Sequence, residues 1–294
     1  MTPENLATEA QRAQRNACRI RQRIVISFFA VFFLFACTSF FFKPGKEFVS
    51  NPEVQALAPR DVFFRSSDGT KLHGWFFRGQ GERHRGTILV CHGNVENLST
   101  HVKLDLYLIR GGYDLFIFDY RGYGRSEGET TIGGIHRDAE AALETLLGMP
   151  GMEQERVIVY GKSLGAAVSI HLAATTPNRD RIKALVVESA FADYRMKARE
   201  EIVHNYGWVV QYPLSLFVNN DYSPLKFIAK VSPIPVLILH GDQDKIVPVE
   251  HGRLLFAEAR EPKEYWELPG LGHVKSWTDE GTRKRLLAWL AALP

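Results

Sequence analysis

"YGKSLGAAVS" (residues 160–169) places one serine, Ser163, between two glycines. The apolar run "VIVY" ends just before the first glycine and is typical of a buried strand, whereas "AAVSIHLAA" after the second is typical of a helix. Glycines at 161 and 165 permit a sharp turn from strand to helix and close helix packing. Such a turn exposes the serine hydroxyl beside a helix N-terminus, where negative charge is favoured. We therefore predict that Ser163 is a nucleophile; the alternative is a tight turn without chemistry.

The body of the chain alternates short apolar runs with longer helical patterns. Eight runs are predicted strands, at 61–66, 71–78, 86–92, 113–120, 156–161, 183–189, 235–241 and 263–269. Five patterns are predicted helices, at about 96–110, 135–147, 164–175, 250–260 and 278–291. Several strands are apolar nearly throughout, as in parallel sheets covered on both faces. This alternation predicts an α/β domain over 59–294, with a mostly parallel eight-stranded sheet and helices on both faces.

Residues 191–231 interrupt that alternation. The segment carries tyrosines, a tryptophan and two prolines, and it contains no convincing strand. We predict a small helical insertion that acts as a lid, the alternative being a surface excursion that packs on itself. Six aromatic side chains in it would suit an acyl or lipid-like substrate, although they would equally suit the insertion's own core: Tyr194, Tyr206, Trp208, Tyr212, Phe217 and Tyr222.

A nucleophilic serine needs a base, and the base needs an orienting acid. His273, in "GLGH" after the last predicted strand, is placed to lie above the carboxyl ends of the strands, where Ser163 also emerges. "LHGDQDKIVP" offers two acids after an apolar strand, Asp242 and Asp244, which the residues alone hardly separate. His84, His101, His136 and His171 fit the role of base less well, because they precede the core strands or lie on or beside helices.

The order of serine, acid and histidine resembles that of the α/β-hydrolase superfamily. The resemblance extends over most of 60–294 through "CHGN", "FDYRGYGRSEG", "YGKSLG", "VVESAF", "LHGDQDKIVP" and "GLGH". It is strongest to membrane-associated serine hydrolases that include acyl-protein depalmitoylases and monoacylglycerol lipases, with their bacterial relatives. The resemblance implies that Asp244 is the acid, leaving Asp242 as a turn residue. It also implies an oxyanion hole formed by the backbone N–H groups of Asn94 and Leu164.

Three neighbouring features have simpler interpretations. Lys162 is expected to point to solvent, the alternatives being a lowered pKa of the serine or attraction of an anionic substrate. His92 is expected to structure its loop rather than act as a base. The run 121–124, "RGYG", is expected to form a structural loop beside the site rather than an anion cradle.

The N-terminal region predicts a membrane attachment. Residues 24–42 form a run of 19 residues without a charge, long enough as a helix to cross a bilayer. The preceding tail, 1–23, holds five arginines, which favours a cytoplasmic N-terminus and a domain on the non-cytoplasmic side. "LFAC", ending at Cys37, resembles a bacterial lipobox, so a cleaved and lipidated segment is the alternative to an intact transmembrane anchor. Residues 43–58 are predicted to be a linker.

Composition limits the remaining function classes. The net charge is +3 and no basic stripe is present, which argues against a nucleic-acid partner. Cysteine and histidine spacing predicts no structural metal, and we expect no cofactor. The sequence therefore predicts a membrane-tethered serine hydrolase that cleaves carboxylic ester or thioester bonds through an acyl-enzyme. The alternatives are a serine peptidase of the same fold and a hydrolase-fold binding module without catalysis.

Overall fold

A computed structural model describes residues 42–293 except 82, 153–155, 207–214 and 217, and for 204–206 only the backbone. The chain from Phe42 onward forms one compact unit. No helix within the described ranges is both long and apolar enough to cross a bilayer. Of the predicted membrane segment 24–42, all but Phe42 lies outside those ranges, as do the tail 1–23 and Cys37.

Ten strands and eight α-helices make up the described chain. The strands are β1 (Lys43–Pro44), β2 (Arg60–Arg65), β3 (Lys71–Phe77), β4 (Thr87–Cys91), β5 (Val95–Glu96), β6 (Asp114–Asp119), β7 (Val157–Lys162), β8 (Ile182–Glu188), β9 (Val236–Gly241) and β10 (Lys263–Leu268). The helices are α1 (Pro52–Ala56), α2 (Leu98–His101), α3 (Leu106–Arg110), α4 (Ile132–Leu147), α5 (Leu164–Thr175), α6 (Tyr194–Tyr206), α7 (Val249–Glu258) and α8 (Glu280–Ala292). Short 3₁₀ turns cover Val102–Leu104, Arg179–Arg181, Pro224–Lys226, Ile228–Lys230 and Ser276–Thr278.

Eight strands form one sheet in the order β10-β9-β8-β7-β4-β6-β3-β2. Strand β3 runs antiparallel to both neighbours, β2 and β6, and every other pairing in the sheet is parallel. The predicted eight-stranded, mostly parallel α/β fold is therefore confirmed. The chain passes from β4 outward to β6 and then crosses back to β7, so the carboxyl ends of β4 and β7 meet at the point where the strand order reverses. A crevice is expected at such a point in an open α/β sheet.

Helices cover both faces of this sheet, as predicted. Alternate strand residues such as Ile88, Ile117 and Leu239 pack with side chains of α2, α3 and α8 into one apolar cluster. Helices α4, α5 and α7 contact the strands without contributing to that cluster, and so cover the opposite face. Burial on both faces explains why β4, β6, β7 and β9 are apolar along nearly their whole length.

The predicted linker, residues 43–58, is folded against the domain. Strand β1 pairs with β5 in a separate two-stranded parallel sheet, and α1 buries Val54 in the core. Phe48 packs edge-on against Trp75, with ring centroids 5.4 Å apart. Phe42, the last residue of the predicted membrane segment, is buried. The structure differs here from the predicted linker. The sequence did not indicate these contacts, because two prolines and little periodicity in 43–58 give no sign of long-range pairing.

Two predicted elements differ in their detail. The range predicted as one helix, 96–110, is divided into α2, a 3₁₀ turn and α3, because the chain turns at Asp105, whose side chain is buried. The described part of the insertion, 191–231, contains α6 and two 3₁₀ turns and no strand. The helical character predicted for this insertion therefore holds for the residues that the structure describes.

Candidate active site

The turn that carries Ser163 is a strained junction between β7 and α5. Ser163 has a φ of +53°, a conformation that residues other than glycine rarely adopt, and its N–H donates to the Glu188 carbonyl over 2.9 Å. A side chain at Gly165 would overlap the carbonyl oxygen of Cys91, and one at Gly161 would overlap the following helix. Both glycines are therefore needed for α5 to start directly beside β4 and β7. Strain of this kind costs on the order of 1–3 kcal/mol and is kept where the surrounding structure enforces it.

Three side chains from three strand ends form one hydrogen-bonded chain. His273 Nε2 lies 2.9 Å from Ser163 Oγ, and His273 Nδ1 lies 2.7 Å from Asp244 Oδ2. Ser163 follows β7, Asp244 follows β9 and His273 follows β10. Because Asp244 can only accept at its ionised carboxylate, Nδ1 donates to it and Nε2 is left to accept the serine proton. The structure thus brings the three predicted residues together in the geometry of a nucleophile, a base and an orienting acid.

Asp244 is held as an ionised acceptor. Its side chain is fully buried, and Oδ1 accepts the backbone N–H groups of Ile246 and Val247, each over 2.9 Å. Burial alone would raise the pKa of the Asp244 carboxyl, but the neighbouring imidazoles of His240 and His273 outweigh burial and hold that pKa well below its usual range. Asp244 is therefore ionised near neutral pH and can stabilise an imidazolium.

Asp242 has a different partner. Its Oδ1 accepts the backbone N–H of Gly270 over 2.7 Å, which fastens the loop after β9 to the loop that precedes His273. The two acids that the residues alone hardly separated thus occupy distinct positions, and Asp242 fulfils the turn role that the resemblance left to it.

The predicted oxyanion donors lie on either side of Ser163. Leu164 is the first residue of α5, a position whose N–H has no acceptor within the helix. The loop after β4 runs beside the serine, since a Cβ added at Gly93 would lie 3.7 Å from Ser163 Cβ. Asn94 follows in that loop, and Tyr123 Oη contacts its carbonyl oxygen at 2.8 Å and its side-chain oxygen at 2.9 Å. Both predicted N–H groups are therefore on segments that adjoin the serine.

Lys162 does not point to solvent, so that prediction is wrong. Its side chain is 3% exposed and its ammonium group forms an ion pair with Asp105, whose side chain is fully buried. The ammonium also lies 4.6 Å from the centre of the Tyr160 ring. Residues alternate between the two faces of a strand, so Lys162 lies on the same face as Tyr160. This alternation was the sequence signal that could have predicted the buried position of Lys162, because only the residue after the strand, Ser163, lies in the turn.

The remaining candidates have structural partners. His92 is buried, its Nδ1 lies 2.7 Å from the Gly93 carbonyl, and its ring stacks on His101. Arg121 is bound by Asp138 and Asp68, so its guanidinium serves the loop and not an anion cradle. These positions agree with the predicted loop roles.

The aromatic residues of the insertion are only partly described. Tyr194 is fully buried against Phe191, and Tyr222 stacks on His136 with ring centroids 4.4 Å apart. Tyr194 therefore packs within the insertion, whereas Tyr222 packs the insertion against α4. The side chains of Tyr206, Trp208, Tyr212 and Phe217 lie outside the described residues.

Comparison with known proteins gives matches over most of the chain. A family model described as serine aminopeptidase, S33, matches residues 82–225. The α/β-hydrolase domain-containing protein WAV2 of Arabidopsis thaliana is 32% identical over 250 residues, which cover 81% of this chain and 80% of WAV2. The uncharacterized protein YfhR of Salmonella typhi is 32% identical over 278 residues, 87% of this chain and 90% of YfhR.

Solved structures show the same architecture. The esterase Pf2001 of Pyrococcus furiosus superposes with a TM-score of 0.68 at 21% identity, covering 85% of this chain and 99% of the esterase. At that identity the likeness concerns the fold alone.

Proposed function

The chain belongs to the α/β-hydrolase superfamily, and on that premise we propose that it is a serine hydrolase that cleaves carboxylic esters or thioesters through an acyl-enzyme on Ser163. The observation that carries the proposal is the unbroken hydrogen-bond chain from Ser163 through His273 to Asp244. A binding module with the hydrolase fold would not need these hydrogen bonds, since it would keep the fold without the strained serine turn and the buried acid.

The geometry of the three side chains supports acylation of Ser163 as the first half of the proposed reaction. Ser163 Oγ attacks the carbonyl carbon of the ester while its proton moves to His273 Nε2, and Asp244 stabilises the imidazolium that results. The carbonyl oxygen becomes an oxyanion, and we expect the backbone N–H groups of Leu164 and Asn94 to bind it. When the tetrahedral intermediate collapses, the imidazolium returns the proton to the departing alkoxide or thiolate, and the acyl group stays on Ser163.

Deacylation repeats these steps with water. His273 removes a proton from a water molecule, which attacks the acyl carbon, and the second tetrahedral intermediate expels Ser163 Oγ. The same imidazolium protonates the serine, so the free acid is released and the enzyme returns to its starting state. These steps require no cofactor.

The proposed substrate is a small acyl ester or thioester with an apolar acyl group. Support comes from three exposed apolar side chains: Val95 next to Asn94, Ile246 two residues after Asp244, and Leu216 in the insertion. An aliphatic acyl chain would cover such side chains and remove them from water. The insertion would then act as the lid.

A serine aminopeptidase is the second candidate, because the matching family model carries that description. A free amino terminus would need an unengaged carboxylate near the nucleophile. Three of the four described acids of the insertion have close partners within the protein: Glu200 binds His251, Glu201 binds Lys197, and Asp193 binds Asn220. The fourth, Asp221, is exposed and lies 3.8 Å from the Lys226 ammonium. This engagement favours esters over peptides.

Hydrolysis assays separate these candidates. Purified protein would be given p-nitrophenyl esters and acyl-thioesters of graded chain length, and aminoacyl amides in parallel. We expect hydrolysis of esters or thioesters that Ser163→Ala abolishes, whereas Ser169→Ala, a hydroxyl loss on the same helix, retains it. Turnover of the amides alone would reject the ester proposal in favour of the peptidase.

We also propose that residues 24–42 attach the protein to a membrane, with the domain on the non-cytoplasmic side. The support is the uncharged run and the five arginines before it. Alkaline extraction of membranes would leave an anchored protein in the pellet, and protease digestion of intact cells or spheroplasts would cleave the exposed domain. Mass spectrometry of the mature N-terminus would distinguish a lipidated Cys37 from an intact segment. Release of the protein by alkali would contradict the anchor.

A further inference from the structure

The end of β8 carries two buried polar residues that the proposed mechanism does not use. Glu188 is the last residue of β8 and Ser189 follows it, and they are 2% and 1% exposed. They belong to the motif "VVESAF", which does not supply a nucleophile, base or acid. Burying a carboxylate is costly unless hydrogen bonds satisfy it, so its partners indicate its role.

Those partners lie in the segment that carries His273. Ser189 Oγ accepts the N–H of Val274 over 3.0 Å, and Glu188 Oε1 accepts the N–H of Ser276 over 3.0 Å. The other carboxylate oxygen of Glu188 accepts Tyr160 Oη–H over 2.6 Å. Two backbone N–H groups within three residues of His273 are thus bound by adjacent residues at the carboxyl end of β8.

The backbone conformation shows why this segment needs to be held. Val274 has a φ of +50°, which is unfavourable for a β-branched side chain and persists only where the surroundings enforce it. The residues before His273 are fastened separately, through Gly270 N–H to Asp242 and Gln243 N–H to the Leu271 carbonyl. The histidine is therefore fixed on one side by the loop after β9 and on the other by the end of β8.

The same strand end also holds the nucleophile. The carbonyl oxygen of Glu188 accepts the N–H of Ser163 over 2.9 Å, and Ser189 N–H donates to the Leu239 carbonyl of β9. Glu188 thus bonds to the serine turn through its backbone and to the histidine segment through its side chain. These two connections end on either side of the pair in which His273 Nε2 lies 2.9 Å from Ser163 Oγ.

We propose that Glu188 and Ser189 are positioning residues, which hold the imidazole of His273 in line with Ser163 by binding the backbone N–H groups of Ser276 and Val274. The inference rests on the proposed function, because it assigns a task to the serine and histidine of that mechanism. Neither residue is assigned contact with the substrate.

The test compares two substitutions of one side chain. Glu188→Met keeps length and apolar volume but cannot accept hydrogen bonds, whereas the amide oxygen of Glu188→Gln still accepts the Ser276 N–H. Displacing a catalytic group by about 1 Å costs about 100-fold in rate. We expect Glu188→Met to lower kcat by about 100-fold with KM changed less than about threefold, and Glu188→Gln to retain at least about a third of the wild-type kcat.

Glu140→Met is the matched control. Glu140 is a partly buried carboxylate in α4 that accepts Thr176 Oγ1–H over 2.6 Å, so its loss removes a comparable hydrogen bond outside the site. It should lower the melting temperature and leave kcat at the wild-type value. Ser189→Ala, which removes the acceptor for Val274 with little change in volume, should lower kcat by about tenfold at unchanged KM. If Glu188→Met fails to fold, the kcat of Ser189→Ala tests the positioning role in its place.

Rates are measured well below the melting temperature of each variant, both as ester turnover and as labelling of Ser163 by a fluorophosphonate. Full kcat in folded Glu188→Met or in Ser189→Ala would overturn the inference. Equal losses in Glu188→Gln and Glu188→Met would also overturn it, because charge and not hydrogen bonding would then be what matters. Failure of the proposed function is distinct, since the wild type itself would then neither turn over esters nor label.

Discussion

Asp244→Asn is the substitution whose effect the site defines most sharply. Oδ1 of Asp244 accepts two backbone N–H groups, from Ile246 and Val247. An asparagine must keep its carbonyl oxygen on that side, since its amide group cannot accept them. The amide NH₂ then faces His273 Nδ1, which lies 2.7 Å from Asp244 Oδ2 in the wild type.

The magnitude follows from the tautomer that this arrangement enforces. Facing an NH₂ donor, Nδ1 of His273 must become an acceptor, so the ring proton moves to Nε2. Nε2 then points a hydrogen at Ser163 Oγ, 2.9 Å away, and cannot accept the serine proton. Loss of the correct tautomer and of the stabilising charge lowers kcat by about 10⁴-fold in serine hydrolases, roughly 5.4 kcal/mol of transition-state stabilisation.

Asp242→Asn is the matched control in the same loop. Asp242 accepts one backbone N–H, that of Gly270, and an asparagine oxygen can accept it equally. We expect its kcat to stay within about threefold of wild type, because the hydrogen bond survives. Steady-state hydrolysis of the best p-nitrophenyl ester measures both variants. If both variants kept the wild-type activity, or if both lost it to the same extent, the assignment of Asp244 as the orienting acid would be refuted.

Three further predictions concern buried groups. Lys162→Met strands the buried carboxylate of Asp105 and should lower the free energy of unfolding by about 3–5 kcal/mol in urea denaturation, with most of it recovered in the double variant Lys162→Met/Asp105→Leu; no recovery would show that the pair is not the cause. Because the pKa of Asp244 is lowered on folding, its stabilising contribution is fully present above its ordinary pKa of 3.8 and is lost as the pH falls through the lowered value. The difference in unfolding free energy between wild type and Asp244→Asn should therefore shrink below about pH 4, and a constant difference would contradict this linkage. Burial raises the pKa of the Cys91 thiol to about 12, so N-ethylmaleimide at about pH 8 should modify Cys91 only after unfolding, and peptide mass spectrometry showing an adduct in the native protein would disprove the burial.

Most of the fold could be predicted from the sequence, because the patterns that indicate strands and turns are local. Each central strand is an apolar run between turn residues, and burial on both faces of the sheet produces that pattern directly. Gly161 and Gly165 likewise mark the serine turn, since any side chain there would overlap neighbouring atoms. Ser163 and His273 could be named from their places after strands, whereas Asp244 needed the resemblance, because Asp242 occupies the same strand end.

What the sequence did not indicate depends on pairing over long distances. Lys162 looks like a surface residue until Asp105, 57 positions away, is brought beside it. The pairing of Lys43–Pro44 with Val95–Glu96 joins segments about fifty residues apart through backbone groups, among them the N–H groups of Lys43 and Gly45, that leave no pattern in the sequence. The hydrogen bond between Glu188 and Ser276 is also a long-range contact, since the two residues are 88 positions apart. Local periodicity cannot report such contacts.

The most direct test of the central claim is to map the covalent adduct of a fluorophosphonate by peptide mass spectrometry. Such probes are attacked by an activated serine and remain attached to it, so the modified peptide identifies the nucleophile. We expect one adduct, on Ser163, at a rate that falls sharply in Asp244→Asn and His273→Ala and is unaffected in Ser169→Ala. Ester hydrolysis by a protein that carries no adduct on Ser163, or that carries it on another residue, would contradict the assignment of Ser163 as the nucleophile.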